Sequence, residues 1–186
     1  MMNFDYLAAQ SILLKIPGGV FAAILAIIPT IIAERIQQNN YTGASMCIIS
    51  FVGVLILAVI KEGAVKLLGY YLSWAMSGAG ALLAATIGAN VSGYTKKIFY
   101  NSCMVAATTL GSFIGPLIML EREAPRYITG GIVYCVGNGV AIICFLLDRA
   151  IMVRKNKLRL ANPPDHRPDL SDAPTDVEDK GFIYKL

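Results

Sequence analysis

Long apolar runs without charge set the rhythm of this chain. Five of them, at 8–33, 43–60, 67–89, 98–120 and 127–153, are separated by short segments that hold the charged residues. Lys15 is the one charge in the first run. The second, third and fourth have none, and the fifth is uncharged until the pair Asp148 and Arg149. A helix rises about 1.5 Å per residue and the hydrocarbon core of a bilayer is about 30 Å thick, so roughly 20 apolar residues cross it. The runs lack the alternation of a barrel strand and are rich in Leu, Ile, Ala and Gly. A helix satisfies its own backbone polar groups in lipid. The pattern therefore predicts an all-α, polytopic membrane protein with five transmembrane helices over 8–153. An outer segment, 1–7, precedes them, and a mostly disordered cytoplasmic tail, 154–186, follows. That tail carries Pro163, Pro164, Pro168 and Pro174 among Asp, Ser and Thr, too little apolar surface to fold alone.

Composition sharpens this picture. Of 186 residues, 56% are hydrophobic and 15% charged, against about a quarter charged in soluble domains. Seven of the 16 basic residues and six of the 12 acids lie from Arg154 onward. A soluble enzyme, a disordered chain and a nucleic-acid partner are excluded, because the basic residues sit at the ends of apolar runs. The start has no basic region ahead of the apolar run, so it is not a secretory signal.

Loop charges set the orientation. With the C-terminus cytoplasmic, that side collects Arg35, Lys96, Lys97, Arg149, Arg154, Lys155, Lys157 and Arg159. The other side holds Lys61, Lys66, Arg122 and Arg126. Eight against four is the positive-inside arrangement. Five spans then put residue 1 outside, and the parity points to an odd number of helices ahead of this sequence.

Catalytic chemistry has little to stand on. The single histidine, His166, is in the tail, and no HExxH or Cys-x-x-Cys motif is present. No catalytic residue, metal site or cofactor is expected. Cys47, Cys103, Cys135 and Cys144 all fall within apolar runs and read as small buried hydrophobes. Polar side chains inside the runs are more informative. Asn101, Thr108 and Ser112 fall on one face of the fourth span, and Ser73, Ser77, Gly80 and Ala84 form a stripe on the third, beside Trp74 and Tyr71. Such stripes either line a solute cavity or let helices approach closely. Lys15 either snorkels to the interface or attracts an anion. Pro17, Pro29 and Gly115-Pro116 are potential breaks, useful in a transporter but tolerated in any membrane helix. Asn138 reads as an interhelical hydrogen-bonding residue.

Three short motifs occur in order. Asn90-Val-Ser-Gly93-Tyr94-Thr95-Lys96-Lys97 follows the third span, Gly111-Ser-Phe-Ile-Gly115-Pro116 lies in the fourth, and Ala124-Pro125-Arg126-Tyr127 precedes the fifth. Together with the ending Phe182-Ile-Tyr184 behind an acidic stretch, this set resembles the fungal anion:cation symporter family of the major facilitator superfamily, the allantoate, nicotinate and pantothenate permease-like transporters. Glu34-Arg35 and Asn156-Lys157-Leu-Arg159 match the family's loops only in part.

The resemblance implies that the five spans correspond to the eighth to twelfth helices of such a transporter. The first, third and fourth would line the cavity, and the second and fifth would support it. Lys15, Trp74, Ser77, Asn101 and Thr108 become substrate-cavity candidates. Asn90, Gly93, Tyr94, Thr95 and Lys96 become a cytoplasmic-mouth motif that gates the cavity or caps helix ends. The implied function is symport of a small organic anion with protons, across the plasma membrane or an endomembrane, by a protein whose N-terminal helical bundle is missing here. The 186 residues alone would then not transport. The alternative is a self-contained five-span membrane protein with a structural or assembly role.

Overall fold

Among the described residues of the computed structural model, the regular secondary structure is all helical. These are 2–60, 64–119, 121–123, 127–162, 179 and 181–186, with side chains from residue 16 onward except those of 64 and 121. Six α-helices run in order: α1 (Met2–Ile36), α2 (Asn39–Val59), α3 (Ala64–Ser73), α4 (Ala75–Asn90), α5 (Tyr94–Ile118) and α6 (Ile128–Ala161). A short 3₁₀ turn, Glu121–Glu123, precedes α6. Five segments are long and apolar enough to span a membrane, α3 and α4 together making one of them.

The boundaries differ from the hydropathy pattern in three places. Residues 2–7, expected as a separate outer segment, belong to α1. α6, the fifth span, runs on from Val153 to Ala161, through a stretch rich in Arg, Lys and Leu, which are good helix formers. Of the expected tail, residues 163–178 and 180 lie outside the described residues, while Gly181–Leu186 lies against the helices.

α2 is the centre of the packing and touches α1, α3, α4 and α6. One face buries Asn40, Gly43, Ala44, Cys47, Ser50 and Val54, and the other exposes Ile48, Val52, Leu55 and Val59, a stripe suited to lipid. Small residues set the approach of neighbours. At Gly53 an added Cβ would lie 2.7 Å from the Ser73 nitrogen and 2.9 Å from the Gly69 oxygen. At Gly78 it would run into the backbone oxygen of Leu25 on α1. Gly80, two residues on, faces open space. Of the expected small-residue stripe on the third span, Ser77 and Gly80 are exposed and Ser73 and Ala84 half-buried, while the close packing falls to Gly78 and Ala79 beside it.

α5 stands apart. It has no buried residue and makes only slight contact with α4 and α6. Of the four cysteines expected to be buried, only Cys47 is; Cys103 and Cys144 are exposed and Cys135 is intermediate. Asn138 is buried, but its amide donates to the Tyr134 oxygen of its own helix at 3.0 Å and not to a neighbouring helix. α1 continues through Pro17 and Pro29, and α5 through Pro116.

Candidate functional site

Among the described residues, the one break inside a span falls at Ser73–Trp74, where there is no proline. Its hydrogen bonds are locally complete. In a regular helix the Trp74 amide would reach the Tyr70 oxygen and the Ser77 amide the Ser73 oxygen. Here the Trp74 amide donates to Tyr71 at 3.2 Å and the Ser77 amide to Trp74 at 3.0 Å, a local tightening to 3₁₀-type bonds. Two carbonyls are released. The Ser73 hydroxyl donates to the Tyr70 oxygen at 2.7 Å. The Ser73 oxygen accepts from the Ser50 hydroxyl on α2 at 3.0 Å and from the Tyr134 hydroxyl on α6 at 3.4 Å. A freed carbonyl in lipid must be satisfied or line a wet cavity, and here two other helices supply donors.

The close approach of α2 makes this possible. Gly53 sits one turn beyond Ser50, against Gly69 and Ser73. The break lies roughly 14 Å from the Val65 end of its span, at nine residues of 1.5 Å each, so it falls well inside a 30 Å hydrocarbon layer.

An aromatic cluster covers the other side. Phe21 of α1 stacks on Tyr71 with ring centroids 5.1 Å apart. Tyr70 meets Tyr71 and Trp74 edge-on, at 5.5 and 6.2 Å. Gly18 leaves room on α1, where a Cβ would come within 3.5 Å of the Trp74 ring nitrogen. Trp74 remains 38% exposed, with its ring nitrogen on the side of Gly18. The Ser77 hydroxyl donates to the Trp74 oxygen at 2.8 Å and lies 3.3 Å from the Ala22 oxygen, and it too is exposed.

Trp74 and Ser77 are thus brought together at the break. Asn101 and Thr108 are not: they share α5, where Thr108 bonds the Met104 oxygen one turn back and no hydrogen bond or ring contact joins either to the break. The side chain of Lys15 lies outside the described residues, though its backbone is in α1, about one turn before Gly18. Sequence reasoning missed Ser50, Tyr134, Tyr70 and Phe21. Ser50 is one of only two serines in an otherwise plain run, a weak signal.

The mouth motif has its own geometry at the far end of α4. Gly93 takes φ 92°, a conformation that side-chain-bearing residues rarely adopt, and turns the chain from α4 into α5. The Lys97 ammonium donates to the Gly88 oxygen at 2.9 Å, placing a cation on the carbonyl end of α4. Tyr94 is 80% exposed, Thr95 is exposed and Lys96 is half-buried. Asn90 is buried, and its amide bonds the backbone of Lys185 in both directions, at 2.8 and 2.7 Å. On the same end Asn40 donates to Asp148 at 3.1 Å, and Arg149 donates to Gln38 at 3.1 Å while lying over the Tyr41 ring. At the opposite end Glu123 accepts from the amide and hydroxyl of Thr129, at 2.9 and 2.5 Å, and caps α6. These bonds, with Arg122 nearby, hold the Glu123 carboxyl below its usual range. No group of metal ligands occurs among the described residues.

No family model and no solved structure matches the chain. Curated relatives do. An uncharacterized transporter of Schizosaccharomyces pombe is 26% identical over 192 residues, covering all of this chain and 37% of the relative. A thiamine pathway transporter of Saccharomyces cerevisiae is 27% identical over 187 residues, 98% of this chain and 36% of the relative. The allantoate permease of the same yeast is 26% identical over 179 residues, 92% and 28% respectively. The chain spans about a third of the length of these relatives, each a transporter or permease and none an enzyme by name. A membrane protein of five spanning helices, it is similar along essentially its whole length to fungal transporters.

Proposed function

We propose that this chain is the C-terminal portion of a secondary transporter for small organic anions, taken up with protons, of the anion:cation symporter type. The observation that carries the reading is the broken third span. A helix interrupted within the membrane, its released carbonyl held by hydroxyls from two other helices, leaves Trp74 and Ser77 exposed beside the interruption, where the broken helices of transporters bind solute. Ser77 and Trp74 would contact the solute, with Lys15 supplying attraction for an anion. Asn101 and Thr108 would join the cavity wall from α5, whose bare surface would be covered by helices outside these 186 residues. Asn90, Gly93, Tyr94, Thr95 and Lys96 would form the inner mouth. The charge distribution supports a cytoplasmic C-terminus, and the relatives' greater length supports a separate N-terminal bundle. The plasma membrane is the expected site.

The test is uptake of a panel of labelled organic anions in a permease-deficient yeast. One strain expresses these 186 residues, and another a protein in which they follow a seven-helix N-terminal part. Saturable uptake that rises with external acidity is expected only in the second. Saturable uptake by the 186 residues alone would overturn the reading and favour a self-contained protein.

A further inference from the structure

The end of the bundle that carries Asn90 is built around an extended peptide. Two asparagines, on different helices, each clasp one residue of the segment Gly181–Leu186 by its backbone. Asn156 of α6 accepts from the Tyr184 amide at 2.9 Å and donates to the Tyr184 oxygen at 2.8 Å. Asn90 of α4 accepts from the Lys185 amide at 2.7 Å and donates to the Lys185 oxygen at 2.8 Å. The Leu186 oxygen accepts from the Asn39 amide at the start of α2, at 2.7 Å. A side-chain amide paired in both directions with a backbone amide reproduces the bonding of a neighbouring strand, and it recognises backbone and not sequence.

Recognition of sequence comes from one ring. Tyr184 is buried, with the Arg159 guanidinium 4.7 Å and the Lys155 ammonium 5.3 Å from its ring centre and Phe182 packed edge-on. Arg159 also donates to the Phe182 oxygen and to the Tyr184 hydroxyl. Lys155 and Arg159 are four residues apart on α6, so they stand on one face and hold the ring as cation–π partners. The segment begins in a turn in which Asp179 accepts from the Gly181 amide at 2.8 Å. Beneath it, the Met152 sulfur receives the amides of Asn40 and Asn90 at 3.8 and 3.6 Å, which aligns all three helices under the segment.

α4 and α6 both pack on α2 and are linked directly by the weak Asn90–Met152 bond, and the segment adds stronger bonds to all three helices. We propose that the α2–α4–α6 end is a docking cleft for the chain's own 181–186 segment, and that the docked segment is a releasable strap holding α4 to α6. Each of its bonds is to side chains or helix-end groups at the rim of the bundle, so it can leave without unfolding a helix. The inference stands on these contacts and does not depend on what the protein transports.

Hydrogen exchange on the 186-residue chain in phosphatidylcholine nanodiscs tests it. The wild-type segment should exchange at least about tenfold more slowly than the free peptide Gly-Phe-Ile-Tyr-Lys-Leu, as expected for two or more net hydrogen bonds. Asn156→Ala and Asn90→Ala should each release it. Tyr184→Ala should do so too, and it leaves every helix residue intact, so it decides the matter if an asparagine variant fails to fold. Deleting 181–186 should speed exchange at 87–91, the end of α4, and millimolar free peptide should restore protection there. Exchange of the wild-type segment at the free-peptide rate would overturn the docking. Unchanged protection in Tyr184→Ala would overturn the assigned anchor, and an unchanged α4 end after deletion would overturn the strap.

Discussion

Gly53 permits the helix crossing on which the broken span depends, and Gly53→Ala is the perturbation that measures it. The added Cβ would lie 2.7 Å from the Ser73 nitrogen, 2.8 Å from the Leu72 Cβ and 2.9 Å from the Gly69 oxygen. Ordinary contact begins near 3.4 Å, so the nearest atom is short by 3.4 − 2.7 = 0.7 Å. Two of the three neighbours are backbone atoms and cannot rotate away, so α3 must retreat as a unit. Overpacking of this kind costs about 1–3 kcal/mol. Retreat also stretches the 3.0 Å bond from Ser50 to the Ser73 oxygen, worth about 0.6 kcal/mol in a membrane setting. Against this, alanine gains about 1 kcal/mol over glycine in a helix interior. Gly80→Ala isolates that gain, because nothing lies within 4 Å of its added Cβ. The helix gain is common to both variants, so Gly53→Ala should be less stable than Gly80→Ala by about 1.6–3.6 kcal/mol, with Gly80→Ala at or above wild type. Unfolding in mixed micelles of rising sodium dodecyl sulfate, followed by helical ellipticity, reads the difference. Equal midpoints for the two variants would refute the crossing.

Two further expectations concern the helix ends. Gly93→Ala forces a Cβ onto a residue at φ 92° and should cost about 1–3 kcal/mol in the same unfolding assay, whereas Gly88→Ala, within α4 and with open space at its Cβ, should cost nothing. The Glu123 cap should give a pH dependence. Its carboxyl is depressed by the side-chain and backbone bonds from Thr129, so its contribution is present above the unfolded value of about 4.3 and is lost as pH falls through the lower folded value. The Thr129 amide resonance should therefore titrate below the ordinary glutamate range, and Glu123→Gln should abolish the titration.

What was legible in the sequence is what depends on single segments. The spans follow from uncharged runs of the right length, and the helix-end charges follow from their flanks. Pro17, Pro29 and Pro116 were misleading as breakers, because their helices continue through them. The real interruption at Trp74 has no local marker. It is stabilised by Ser50, 23 positions back in sequence, and by Tyr134, 61 positions ahead of Ser73. The docked segment was hidden for the same reason. It follows a stretch rich in Pro and Asp that reads as a solvated tail, and its partners Asn156 and Asn90 lie 28 and 95 positions away. Asn90 was singled out as a mouth residue, but its peptide partner could not be read from its neighbours. The cysteines show the limit of a one-dimensional reading: an apolar run says that a residue is in the membrane, not whether helix or lipid covers it.

The central claim is that the broken span faces a watery path taken by the solute. Ser77→Cys tests it most directly, placed in a protein in which these 186 residues follow a seven-helix N-terminal part, with the native cysteines replaced. A water-soluble maleimide should label this thiol, and a transported anion at saturating concentration should slow the labelling several-fold. Val136→Cys, exposed on the apolar surface of α6, should stay unlabelled in both conditions. A Ser77→Cys thiol that resists the reagent, or that reacts at one rate with and without every transported anion, would contradict the account.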